Sequence, residues 1–155
     1  MKIISNDLKG IYLFNCENRS MEEYIINLFM NYLSELPISQ NVLISNKETS
    51  SEEIQVFFHR AILCVYNTLF VVELNDSFSE YHQNIMNNYI DNLLTYKSDE
   101  YNKKNEIVDK KETYMDSCLC FIYDNKNKNI ASFLKEIEKY DCLKEKVKRF
   151  TEKEQ

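Results

Sequence analysis

Four aliphatic runs punctuate the chain: Ile11–Cys16 (IYLFNC), Asn41–Ser45 (NVLIS), Thr68–Leu74 (TLFVVEL) and Cys118–Tyr123 (CLCFIY). Each leads into a stretch with apolar residues at helical spacing. Short apolar runs alternating with longer amphipathic segments predict an α/β fold. The expected architecture is three-layered. A mainly parallel sheet of about four strands, near 11–16, 41–45, 68–74 and 118–123, carries helices on its faces. The third run is apolar at nearly every position, as a central strand covered on both sides requires.

The helix starts are legible. Ser20 with Glu23, and Ser50 with Glu53, have the spacing of a capping box. The first helix is expected to run from Ser20 through Leu36, with Pro37 stopping it. The second is expected over Ser51–Val65, burying Ile54, Phe57, Phe58, Ala61, Ile62 and Val65. A third is expected from Ser79 to Tyr96, with Tyr81, Ile85, Tyr89, Leu93 and Tyr96 on one stripe. Lys97–Glu112 is charged and weakly periodic, and is expected to extend the third helix and fray into a flexible charged insert. A final helix is expected from Ile130 to Phe150, packing through Phe133, Leu134, Ile137 and Tyr140, with a solvated end. No domain boundary shows within residues 1–155.

Composition sharpens this picture. With 155 residues, 44% of them hydrophobic, the chain can bury a real core. The net charge of -6 disfavours nucleic acid, whose binding draws on basic surface. Ten basic and nineteen acidic residues fall within 1–124, against nine and six in 125–155. The tail is thus basic on an acidic body, a pattern that suits a solvated Lys/Glu helix face. No run approaches the ~20 apolar residues of a membrane helix, and the N-terminus does not read as a signal peptide. A cytoplasmic setting is the expectation, and five cysteines, an odd number lying mostly in apolar stretches, read as buried reduced thiols. Asparagine and lysine are abundant, which looks like a compositional bias.

The chain has one glycine, Gly10. A phosphate loop needs glycines so that backbone N–H groups can wrap the anion, and a lysine to neutralise it. After the first strand stands ENRSMEEY, and after the second NKETSSEE. Neither supplies the loop, which argues against autonomous ATP hydrolysis. LFVVEL with Asp76 superficially resembles a strand ending in metal-binding acids, but an acidic residue there more commonly neighbours a helix cap. Cys118-Leu119-Cys120 lacks the CxxC spacing and second pair of a structural zinc site and reads as core. His59 and His82 read as surface helix residues, and no nucleophile with a base in reach is legible. No catalytic residue, metal site or cofactor is therefore expected. The one place left for a ligand or partner is the rim beyond the strand C-termini: Ser45, Asn46, Glu73, Asn75, Asp76 and Asp124.

The stretch from Leu36 to Leu94 carries a resemblance. Its features are Leu36-Pro37 before a strand, Val42-Leu43-Ile44 within it, and the polar helix start Glu48-Thr49-Ser50-Ser51-Glu52-Glu53. Phe57-Phe58-His59-Arg60 follows, then an apolar strand ending near Leu74 and Asp76-Ser77-Phe78-Ser79. GIYLFNCENRS upstream and CLCFIYD downstream extend the likeness over most of residues 10–124. The sequence resembles a segment of the giant AAA+/RING-finger ubiquitin ligases of the mysterin family. Such ligases combine ATPase modules, only partly active, with a zinc-bearing ubiquitin-transfer module, and the segment resembled belongs with the ATPase core. None of the family's catalytic residues can be carried over, since no Walker-A lysine, RING array or transfer cysteine can be placed. The resemblance implies a non-catalytic module, a fragment or stand-alone relic, acting through protein contacts. The rival expectation is a small α/β enzyme or ligand-binding protein that uses the acidic rim at Glu73 and Asp76.

Overall fold

The computed structural model describes residues 9–17, 19–105, 115–124 and 127–140. Four strands, β1 (Gly10–Asn15), β2 (Val42–Ile44), β3 (Leu69–Leu74) and β4 (Cys118–Tyr123), form one sheet in the order β1-β4-β3-β2. Every pairing is parallel. Four helices join or follow them: α1 (Met21–Leu33), α2 (Ser51–Leu63), α3 (Glu80–Asn105) and α4 (Lys128–Ile137). The expected three-layer α/β architecture is the one found.

The alternation of side chains along a strand builds two cores. Tyr12, Phe14, Leu69, Val71, Cys118, Cys120 and Ile122 face α1, where Tyr24, Ile25, Leu28 and Phe29 cover them. Ile11, Leu13, Phe70, Val72, Leu74, Leu119 and Phe121 face the other way and meet α2, α3 and α4. One helix therefore covers one face and three cover the other. Phe121 sits near the middle of the larger core, stacked on Phe58 at 6.2 Å and edge-on to Phe133 at 5.3 Å. Gly10 opens β1 at φ 99, a conformation that a Cβ would penalise.

Both expected serine caps form. Ser20 Oγ accepts from Glu23 N, and Ser50 Oγ accepts from Glu53 N at 3.2 Å. Several boundaries differ from the sequence expectation. Helix α1 stops at Leu33, three residues short of Leu36, because Ser34 adopts a left-handed φ of 55 and returns its N–H to Met30 O. Helix α2 stops at Leu63 because Cys64 turns extended, which leaves Val65 exposed. Asn41 belongs to a 3-10 turn and leaves β2 only three residues long; its side chain donates to Leu69 O at 3.1 Å.

The third helix differs most. It continues through residues 97–105, where the helix extension was expected, and Lys97 pairs with Asp116 at 3.4 Å. Residues 106–112 lie outside those described. Its buried stripe is His82, Met86, Ile90, Leu94 and Ser98, not Tyr81, Ile85, Tyr89, Leu93 and Tyr96. Tyr81 and Tyr96 are exposed, while Ile85, Tyr89 and Leu93 are half-buried at the flank. The two polar members of the true stripe disguised it. His82, expected at the surface, is buried because it serves the helix start: its Nδ1 lies 3.1 Å from Ser79 Oγ and its ring stacks on Phe78. Helix α4 begins two residues earlier than expected, at Lys128, capped by Asn127. Tyr140 donates to Asp91 on α3 at 2.8 Å, and burial with that carboxylate pushes its phenol above the usual range. The expected continuation from 141 to Phe150 lies outside the described residues.

Phe121 is fully buried between Phe58 and Phe133. Phe121→Ala is expected to lower unfolding free energy by about 4 kcal/mol, read from urea denaturation. A loss under about 1 kcal/mol would show that the ring does not join the two packing partners.

Candidate functional site

The rim beyond the strand C-termini is built from asparagines. Asn15, at the end of β1, accepts from Glu17 N at 2.9 Å. Asn46, after β2, accepts from Glu48 N at 2.8 Å. Asn75, after β3, accepts from Ser77 N at 2.9 Å. Asn127, after β4, accepts from Ile130 N at 2.8 Å. An Asn side chain can close a turn by mimicking a backbone carbonyl, which suits a chain without glycines to spare. These four therefore close turns; the sequence offered Asn46 and Asn75 as rim residues for a ligand or partner and gave Asn15 and Asn127 no role.

The expected rim residues are partly brought together. Asn75 Nδ2 donates to Glu73 Oε2 at 3.0 Å and to Ser45 O at 3.2 Å, so one amide ties the ends of β2 and β3. Glu73 is 6% exposed and faces the α1 side between Ile44 and Ile122. Ser45 is fully buried, and its Oγ has no hydrogen-bond partner. Asn46 instead serves its own turn, where Thr49 Oγ1 accepts its N–H at 2.9 Å. Asp76 is exposed in the turn after β3. It does not join Glu73 in a carboxylate pair, because the Glu73 carboxylate turns to the sheet face while Asp76 faces solvent. Asp124 is half-buried just past Tyr123, at the border with β1.

Connectivity places the open-sheet crevice elsewhere. Ligands in such sheets bind where neighbouring strands send their helices to opposite faces. Here that border is β1 beside β4, since α1 alone covers its face. Glu73, Asn75 and Ser45 belong to β2 and β3, whose helices share one face. Of the expected residues, Asp124 alone stands at the border. The turn there runs Cys16 to Ser20, with Glu17 at a left-handed φ of 49. Glu17 N is held by Asn15 Oδ1, Arg19 N by Cys16 O at 3.1 Å, Glu23 N by Ser20 Oγ and Tyr24 N by Ser20 O at 3.0 Å. Four N–H groups among the described residues of this segment, those of Glu17, Arg19, Glu23 and Tyr24, are thus spent inside it, and Glu17, Glu22 and Glu23 add negative charge beside it.

A cleft that sequence reasoning did not single out opens beside β2. It measures about 420 Å³ between that strand and α2, over Val42, Val56 and Phe57. The signal was present in Val56, an apolar residue off the buried face of α2.

The thiols belong to the core. Cys118 and Cys120 share a strand face with their sulfurs 3.7 Å apart, both fully buried. Burial first, then the neighbouring Cys118 thiol, pushes the Cys120 thiol well up. Cys16 is buried too, and Cys64 is partly exposed at the end of α2; Cys142 lies outside the described residues. Among the described residues no group of three or more His, Cys, Asp or Glu could hold a metal ion.

Two outcomes follow from this geometry. Asn75→Asp puts a second carboxylate about 3 Å from Glu73. Like charges raise the pair's folded-state proton affinity above its unfolded value, so the penalty is full at high pH and fades as the pair takes up a proton. The variant is expected to lose about 2 kcal/mol at pH 7.5 and clearly less at pH 4.5, by urea denaturation. An equal loss at both would mean Glu73 does not meet residue 75. Separately, mass-resolved labelling of the native chain by a thiol reagent is expected to modify Cys64 at least about 100-fold faster than Cys118 or Cys120; equal rates would contradict their burial.

No family model, curated protein or solved structure matches the chain.

Proposed function

We propose that this chain is a non-catalytic α/β module that acts through protein contacts, related to the ATPase-associated region of mysterin-type ubiquitin ligases. The β1–α1 turn carries the reading. In nucleotide-binding sheets a strand–turn–helix at this border holds the phosphates with free backbone N–H groups. Here Asn15 Oδ1, Cys16 O, Ser20 Oγ and Ser20 O take four of the donors, those of Glu17, Arg19, Glu23 and Tyr24. Each donor turned outward would first have to break a bond worth about 1 kcal/mol. The carboxylates of α1's first turn, Glu22 and Glu23, already occupy the favourable end of the helix dipole. A layered frame whose phosphate position is acidic and poor in donors supports contact rather than nucleotide chemistry as the role of the chain.

The relation to the mysterin family rests on the residue likeness from Leu36 to Leu94, which spans β2, α2, β3 and most of α3. The frame supports it to the extent that an all-parallel sheet with a strand–turn–helix at β1 suits an ATPase-type module. Partners are proposed to be proteins, whether neighbouring domains of a larger ligase or a separate chain, within a cytoplasmic setting and without nucleic acid. Among the described residues no helix is long and apolar enough to cross a membrane.

The test is nucleotide binding. With Mg²⁺ and ATP, ADP or GTP at 1 mM (about 1 mM being a weak-binding threshold), the melting temperature is expected not to move, and phosphate release to stay at the buffer rate. A saturable shift, or turnover above buffer, would overturn the reading. A shift with Mg²⁺ alone, abolished by Glu73→Ala, would favour the rival small-ligand function at the acidic rim.

A further inference from the structure

We propose that the open edge of β2 and the adjoining flank of α2 take up an extended peptide of a partner protein, apolar at alternate positions and carrying Lys or Arg where it passes the first turn of α2. This deepens the contact-module reading and rests on it.

The two sheet edges are not alike. β1 pairs only with β4 and β2 only with β3. Yet β1 is buried from Gly10 to Phe14, whereas Ile44 of β2 is exposed and Val42 half-exposed. β2 is therefore the accessible edge among the described residues. An edge strand turns alternate N–H and C=O groups away from its sheet, where another strand can pair. Three residues of pairing are weak alone, so an occupant needs side-chain contacts as well.

The cleft supplies them. Leu43 and Phe57 line it together with Val56, which is 59% exposed on a helix whose other apolar residues mostly face the core. A second hollow of about 360 Å³ shares Arg60 with the first and continues past Val65 and Tyr66. The joined surface follows α2, whose 13 residues span roughly 20 Å. An extended peptide covers that length with about six residues.

Charge decides the occupant. At the upper end Glu52 and Glu53 line the cleft. At the lower end stands one cation, Arg60, which donates to Gln40 O at 3.0 Å. Two carboxylates against one guanidinium leave the cleft net negative, with that charge at the first turn of α2, which a Lys or Arg on the incoming strand complements. A second copy of this chain is a poorer occupant, since each copy carries a net charge of -6 and two acidic bodies repel.

The full chain is panned against a displayed library of random seven-residue peptides, beside its Val56→Asp and Glu52→Lys/Glu53→Lys variants. All three positions are surface ones, and circular dichroism checks that each variant keeps its fold. Enriched peptides are synthesised and their affinities measured by fluorescence polarisation. The expected winners alternate apolar residues and carry Lys or Arg at one end. They are expected to weaken about tenfold on Val56→Asp and on the double charge reversal, and the reversed chain is expected to select acidic peptides instead. Failure to enrich any peptide, or affinities indifferent to both variants, would overturn the proposal. So would a wild-type dimer in sedimentation that Val56→Asp dissolves, since the occupant would then be a second copy. These results are separable from nucleotide binding: a chain that binds no nucleotide and no peptide loses only the peptide site.

Discussion

The structure depends on how the chain leaves its strands. A parallel sheet must turn sharply into a helix after each strand, and such turns ordinarily lean on glycine. With its only glycine placed before the body of β1, this chain closes each exit with an asparagine side chain instead. Asn15, Asn46, Asn75 and Asn127 each accept a backbone N–H two or three residues on. The bond fixes the turn and spends a donor in doing so. A rim stitched in this way is rigid, and it has few free N–H groups to offer an anion.

That economy separates frame from chemistry. Two dense cores, one under α1 and one under α2, α3 and α4, hold the sheet by burial of aromatic and aliphatic side chains. The polar groups near the strand ends act mainly on one another: Asn75 joins Glu73 to Ser45, and Thr49 holds Asn46. What stays open is lateral, along β2 and the flank of α2.

Some elements were legible because a short-range physical rule decides them. Short apolar runs and period-3.6 patterns located four strands and four helices, and Ser20 and Ser50 announced their caps. The α3 stripe was misread because burial there follows the packing of a whole helix against α2 and α4, which admits His82 and Ser98 to the inner face. The end of α1 was misread because Ser34 takes a left-handed turn before Pro37 can act. The rim was legible only as a list of residues: Ser45, Glu73 and Asn75 do meet, but Asp76 and Glu73 do not form a pair.

By itself, then, the sequence determined the class of fold, the helix caps and the want of a glycine loop, since each follows from residue type at short separation. Strand order, the border between β1 and β4, the burial of Glu73 and the open side of β2 were decided only in three dimensions. Crossovers bring together residues far apart in the chain, and no local pattern records which strand ends up at the edge.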